Sequence, residues 1–312
     1  MRAASAAIVS PIRSSGRSLA SVPNGSSIST PISSIPFFIV VPGSYYLTAN
    51  LATSGTNAGI DILASNVTLD LNGFTLSTSA PVVSPHGVRI QGVSNVTVRN
   101  GSVAGFPIGV IADFTSRNVR FENLQVSGAS AGGLLNTANP AAIDGCLVNT
   151  SGTGVQVFQN ATVTNCTAAD NLGDGFKLGT GSVLSNCVAR GNTVGIRADP
   201  SVTVHHCSVS GNTAHGILVA DSSFIHDNDV TSNGVSGITV AGSGSRIEGN
   251  NLASNGSFGL NLGGTNNIAM RNSAHGNAGV PDPNWSFNVP NVIVIEDGTV
   301  VAPSNPWANV TY

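Results

Sequence analysis

Lysine is nearly missing from this chain: Lys177 is the only one in 312 residues. Charged residues of both signs make up 9% and aromatics 5%. Helix-rich proteins coat their helices with Lys, Glu, Arg and Leu, so this scarcity argues against a helical fold. A formal charge of −3 leaves no basic footprint for DNA or RNA, and nucleic-acid binding is set aside. Long apolar runs are lacking too. The strongest, Phe37–Val41, lies between prolines. It falls well short of the roughly 20 residues that cross a bilayer as a helix, and no membrane span is expected. No acidic residue precedes Asp61, and residues 1–30 are rich in Ala, Ser and Pro with Arg2, Arg13 and Arg17. That segment reads as a flexible leader; the thin apolar stretch Ala3–Val9 leaves an export signal open.

Glycine, by contrast, recurs on a beat. A glycine followed by an apolar–x–apolar triplet opens at Gly59, Gly87, Gly109, Gly133, Gly154, Gly175, Gly195, Gly216, Gly237 and Gly259. The gaps are 28, 22, 24, 21, 21, 20, 21, 21 and 22 residues, the mark of a repeat array rather than a globule. In the unit at Gly154, Val155 and Val157 alternate with Gln156 as a short strand; turns and two more strands, around Val163 and Ala168, complete it. Helical repeats of 33 or more residues are excluded by the period, and leucine-rich repeats by the missing leucines.

Further columns repeat with the glycines. Asn100, Asn123, Gly145, Asn165, Asn186, His206, Asp227, Gly249 and Asn272 follow the inward residue of the second strand by two positions. These residue types tolerate a left-handed backbone, so a left-handed corner is expected on every coil. The inward residues are Val98, Phe121, Ile143, Val163, Leu184, Val204, Ile225, Ile247 and Met270. Asn171, Asn192, Asn212, Asn233, Asn255 and Asn277 should form an amide ladder at another turn. Cys146, Cys166, Cys187 and Cys207 stand one per coil, with Asn228 and Asn250 continuing the row. A straight row suits neither tetrahedral zinc nor disulfides, and small apolar residues filling a narrow corner is the simpler reading.

These repeats resemble the right-handed parallel β-helix of the pectate-lyase-like superfamily, over about residues 55–280. The resemblance implies an all-β solenoid of about ten coils with three short strands each. It implies nothing certain about activity, because lyases, hydrolases, epimerases, adhesins and tailspikes share that scaffold. The chain divides into a leader (1–30), an N-terminal cap strand (31–58), the helix (59–280) and a C-terminal cap (281–312) in which Trp285, Asn291–Ile295 and Trp307 fold over the last coil.

Stacking also lines up outward residues. The first-strand column reads Asp61, Arg89, Ile111, Leu135, Gln156, Lys177, Arg197, Leu218, Thr239 and Asn261. Lys177 and Arg197 then stand about 4.8 Å apart at the backbone, with Asp174, Asp199 and His215 at the strand ends. A lysine beside another cation is suited to taking the proton α to a uronate carboxyl group, and an arginine to holding that carboxylate. The pair is similar to the lysine/arginine pair of alginate-lyase and chondroitinase-B type β-helices, which implies catalytic roles for Lys177 and Arg197; from their place beside the pair, His215 is a further catalytic candidate and Gln156, Asp174 and Asp199 are candidate substrate contacts, and a solvated surface pair remains the alternative. The epimerase signature Asp-Pro-His is half present, as Asp199-Pro200 followed by Ser201. In the second-strand column His205, His226 and Glu248 follow one another, a donor set that zinc accepts if the side chains lean together. Asp199 and Asp221, one coil apart, are a pair that Ca2+ would suit; no cofactor is required.

The sequence thus points to an exported protein, secreted or at the cell surface of a bacterial type, that binds or processes a uronate-containing polysaccharide, with β-elimination as the chemistry if it is an enzyme. The rival is a non-catalytic surface rod or adhesin, a monomer or a tailspike-like homotrimer, using Ile111, Leu135, Phe114 and Phe158 as a contact patch.

Overall fold

The computed structural model describes residues 29–53, 58–79, 86–279, 284–287, 292–293, 295–296 and 308–311. Most of the leader and Trp307 lie outside these residues. Every regular element among the described residues is a β-strand, and all strand pairs are parallel. No helix there is long and apolar enough to cross a membrane.

Each coil contributes one strand to each of three faces. The first strands, from Phe37–Ile39 through Phe176–Leu178 to Trp285–Phe287, form one sheet of twelve. Second and third strands form the other two faces, which fuse where Ser94–Ala104 and Arg117–Ser127 run through both. The glycine heading each first strand has a steric cause. A Cβ on Gly195 would lie 2.6 Å from the carbonyl oxygen of Gly216, and one on Gly216 2.7 Å from that of Gly237. No side chain fits there, so the tight bend selects glycine coil after coil.

The interior is a set of stacked columns. Ile143, Val163, Leu184, Val204, Ile225 and Ile247 pair in register and are buried, each worth about 1.5–3 kcal/mol of apolar transfer. The left-handed corner is present from Asn100 to Gly249, including Asn165, His206 and Asp227 at φ 54–55°. On the last of these coils the expected register is wrong by one. Ala269, not Met270, pairs with Ile247 and is buried, and Arg271, not Asn272, takes the left-handed corner at φ 56°. Met270 instead pairs with Glu248 on the outward side of the strand.

Displaced by one, Asn272 falls into the cysteine row, which is itself a ladder. Cys207 N–H donates to Asn228 Oδ1 (3.0 Å), Asn228 N–H to Asn250 Oδ1 (3.0 Å), Asn250 N–H to Asn272 Oδ1 (3.0 Å) and Asn272 N–H to Asn309 Oδ1 (2.9 Å). The sulfurs do the same more weakly: Cys146 N–H points at Cys166 Sγ (3.4 Å) and Cys166 N–H at Cys187 Sγ (3.3 Å). All four cysteines are free and buried. Hydrogen bonding among the sulfurs, then burial, pushes the Cys146 and Cys187 thiols up. The second amide ladder forms as expected, from Asn171 to Asn277, each amide also donating to a backbone carbonyl of the coil below.

The stack begins before Gly59. Phe37–Ile39 pairs with Ile60–Ile62, Gly43–Leu47 with Val67–Asp70 and Leu51–Thr53 with Thr75–Thr78, so the segment taken as a cap lays down a complete coil. At the other end Trp285–Phe287 continues the first-strand sheet, with Trp285 buried in register above Leu260.

Candidate functional site

The first-strand column is realised in full. Gln156, Lys177, Arg197, Leu218, Thr239 and Asn261 are successive register partners, so their side chains project from one face. Lys177 is exposed and takes part in no ion pair among the described residues. Arg197 is different. Its Nε and Nη2 donate to Asp174 Oδ2 (2.8 Å) and Oδ1 (3.1 Å), a two-pronged pair spanning one coil. Asp174 precedes the glycine of its coil, which turns its carboxylate toward the next. This pair raises the Arg197 guanidinium further above its ordinary value. His215 sits at the same end, its Nδ1 3.1 Å from Thr239 Oγ1. Burial, then the Arg197 charge, lowers the His215 imidazole below its ordinary range and favours the neutral ring.

Gln156 is half-buried beneath Lys177, and Asp199 lies exposed at the far end of its strand from Asp174. Asp199, Pro200 and the left-handed Ser201 (φ 61°) form the turn into the second strand. The carboxylate of Asp221, one coil on, accepts the Ser243 N–H at 2.7 Å. The structure therefore joins Arg197 to Asp174, sets His215 within the field of Arg197, keeps Lys177 beside Arg197 in register and leaves Asp199 apart. A pair of the same kind lies near the N-terminal end of the face: Arg89 grips Asp61 through two hydrogen bonds (3.0 and 2.7 Å). There burial, then Arg89, lowers the His86 imidazole.

On the second-strand face His205, His226 and Glu248 are register partners, as expected. They do not form the metal set that the sequence suggested. The His205 and His226 rings stack face to face, centroids 4.9 Å apart and 4° from parallel, so they do not converge on one point. His226 Nδ1 is 2.8 Å from Asp227 Oδ2, and His205 Nδ1 2.7 Å from His206 Nδ1. Glu248 is held by arginines at both oxygens: Arg246 Nη2 lies 2.6 Å from Oε2, and Arg271 pairs with Oε1. No group of three or more His, Cys, Asp or Glu among the described residues is placed to hold a metal ion.

Sequence reasoning missed two features. One is the Asp174–Arg197 pair, whose signal was an aspartate just before a coil glycine with an arginine in the outward column one coil later. The other is a notch of about 330 Å3 lined by Phe224, His226, Asp227, Glu248, Gly249 and Arg271. It opens where Gly249 places no side chain at a corner flanked by Asp227 and Arg271.

Comparison with known proteins agrees with this architecture. No curated protein matches the chain by sequence. Among solved structures it is similar to the A-module of the mannuronan C-5 epimerase AlgE6 of Azotobacter vinelandii, at 17% identity and TM-score 0.69, covering 87% of this chain and 90% of that one. A periplasmic alginate epimerase, AlgG in a double mutant, is similar at 14% identity and TM-score 0.58, over 88% and 78%. The Dettilon tailspike protein is similar at 15% identity and TM-score 0.56, over 86% and 61%. At such identities the likeness is one of fold. The sequence also matches the family described as the right handed beta helix region over residues 39–199 and 109–252, together more than half of the chain. The chain belongs to the right-handed parallel β-helix family.

Proposed function

We propose that the protein binds an acidic, uronate-containing polysaccharide along its first-strand face, with Lys177 as the anchoring cation. The observation that carries this reading is the row Gln156, Lys177 and Arg197, which sets three hydrogen-bonding side chains on three successive coils, with Lys177 as its unpaired charge. A sugar chain laid along the rod would meet a polar group on most coils and one cation near the middle. Support also comes from the fold likeness to an alginate epimerase and a mannuronan epimerase, which act on uronate polymers, and from the periplasmic place of the former. A location outside the cytoplasm belongs to the same reading.

Binding is favoured over turnover by the Asp174–Arg197 pair. In β-elimination Lys177 would take the proton α to the carboxyl group, while an arginine held the carboxylate. Here the arginine already holds a carboxylate of its own chain, and a substrate would have to displace it.

Affinity electrophoresis in alginate and polygalacturonate gels tests the reading. Retardation should occur, and Lys177→Ala should weaken it by about 10- to 100-fold, the range for losing a charged hydrogen bond. Unretarded migration, or retardation equal in Lys177→Ala, overturns it. Ultraviolet absorbance of unsaturated uronates, followed in the same samples, should stay flat; a rise that Lys177→Ala abolishes would replace binding by β-elimination.

A second reading draws on exposed apolar side chains, Phe114 (78%) and Leu172 (80%), on turns of the coils. Such residues suit contact between copies of the rod. Light scattering would show a trimer on that reading and a monomer on the first.

A further inference from the structure

The N-terminal end of the second-strand face holds a cavity that the proposed function does not use. It measures about 230 Å3, and its lining includes Ser44, Tyr46, Thr68, Asp70 and Arg99, with Ser29 at the rim. Two outward columns build it. Ser44, Thr68 and Thr97 are register partners on successive coils, and so are Tyr46, Asp70 and Arg99 beside them. Asp70 fixes the arginine: its Oδ2 accepts from Arg99 Nε (2.9 Å) and Asn100 Nδ2 (3.1 Å), while Oδ1 accepts the Asn72 N–H (2.8 Å). Neither Nη atom of Arg99 is hydrogen-bonded among the described residues. The same holds for the hydroxyls of Ser44, Tyr46 and Thr68, all three half-buried. Tyr45 is the contrast, because its hydroxyl donates to Val41 O (2.8 Å) and belongs to the fold. Half-buried polar groups are ordinarily paired, so a cluster of unpaired ones around a cavity calls for a ligand.

We propose that this cavity is a saccharide subsite taking one neutral sugar unit, with its hydroxyl groups on Arg99, Thr68 and Ser44 and its C–H side against Tyr46. The balance of charge selects the ligand class. Arg99 is offset by Asp70, and on the next coil Arg120 and Glu122, register partners of Thr97 and Arg99, repeat one charge of each sign. An anion therefore gains little, and a cation would find the Asp70 oxygens already given to three N–H donors. A sugar hydroxyl both donates and accepts, so it can take an Nη proton of Arg99 and still donate to the Ser44, Thr68 or Tyr46 oxygen. The Tyr46 ring supplies the apolar surface that a pyranose needs on its C–H side. The cavity lies on a different face from Lys177, so it stands or falls without the first site.

Saturation-transfer NMR titrations test the site, with free glucose, galactose and mannose as neutral probes and glucuronic acid as the acidic one. The wild type and Lys177→Ala should bind at least one neutral sugar, and glucuronic acid no more tightly. Arg99→Lys keeps a cation beside Asp70 but removes the Nη donors, and Thr68→Val removes a hydroxyl at nearly constant shape. Arg99→Lys should weaken binding about 10-fold or more and Thr68→Val about 3- to 10-fold, the ranges for losing a charged and a neutral hydrogen bond. Both variants should melt with the wild type and keep its retardation in alginate gels, which Lys177 governs. The proposal is overturned if no neutral sugar binds the wild type, or if glucuronic acid binds more tightly than every neutral sugar. It is also overturned if Lys177→Ala abolishes binding, or if either cavity variant both melts and binds as the wild type does. Should Arg99→Lys melt lower, Thr68→Val alone decides.

Discussion

Gly195 shows how one atom governs a whole coil. Its missing Cβ is what allows the Gly216 carbonyl, the Asn212 amide and Val209 to close beneath it, each within 2.7 Å of where that atom would lie. Two of those three neighbours are backbone or hydrogen-bonded and have nowhere to go. Gly195→Ala should therefore cost about 1–3 kcal/mol, as overpacking does, read as a lower urea midpoint with an unchanged slope. Asn212 makes the complementary case for a polar side chain. It accepts from the Asn192 N–H (2.9 Å) and amide (3.1 Å), and donates to Ala189 O (3.2 Å) and Asn233 Oδ1 (2.9 Å). Asn212→Ala leaves the buried Asn192 donors unpaired, and each such group costs about 1–3 kcal/mol. The urea midpoint of Asn212→Ala should fall further than that of an exposed control such as Thr213→Ala. Equal midpoints would show that the ladder only fills space.

Elements assemble because those residue-level rules repeat, and this decides what could be read beforehand. Strand alternation and the glycine beat placed every outward residue from Asp61 to Asn261 in its column, since a period of two leaves no other option once the glycine is fixed. The inward column of the second strands slipped by one at its last coil, where Ala269 rather than Met270 pairs with Ile247. Lys177 and Arg197 were legible as neighbours; the grip of Asp174 on Arg197 was not, because side-chain reach between coils depends on rotamers that sequence does not carry. The Gly249 notch was illegible for a similar reason: an absent side chain matters only through what surrounds it. The cysteine row yields a test at this scale. Its four thiols are buried, accept N–H groups and stand on consecutive coils that open only by unstacking. In the native protein a thiol reagent should label none of the four within minutes, and in denaturant all four at once. Rapid labelling of Cys166 alone in buffer would mean the ladder opens locally.

At the scale of the molecule, stability is a sum over neighbouring coils, so perturbations at distant places add along the rod. Three imidazoles contribute in one direction. Burial, then Arg89, lowers His86; burial, then Arg197, lowers His215; burial, then His226 and His206, lowers His205. A histidine whose folded pKa lies below its unfolded value of 6.5 binds fewer protons folded than unfolded. Its neutral form is held without penalty above about pH 6.5, and the folded state loses stability as pH falls from there through the depressed folded value. The melting temperature should accordingly drop between pH 7.5 and 5. Carboxylates act in a separate window: Asp113, which burial pushes up, is nonetheless held below the usual range by hydrogen bonds from Thr115, Ser116 and Gly92, so its contribution is lost only below about pH 4. Replacing His86, His205 and His215 together with glutamine should flatten the melting curve between pH 7.5 and 5 while leaving the acid limb below pH 4 intact. A drop that survives the triple substitution would place the proton uptake elsewhere and remove these three rings from the account.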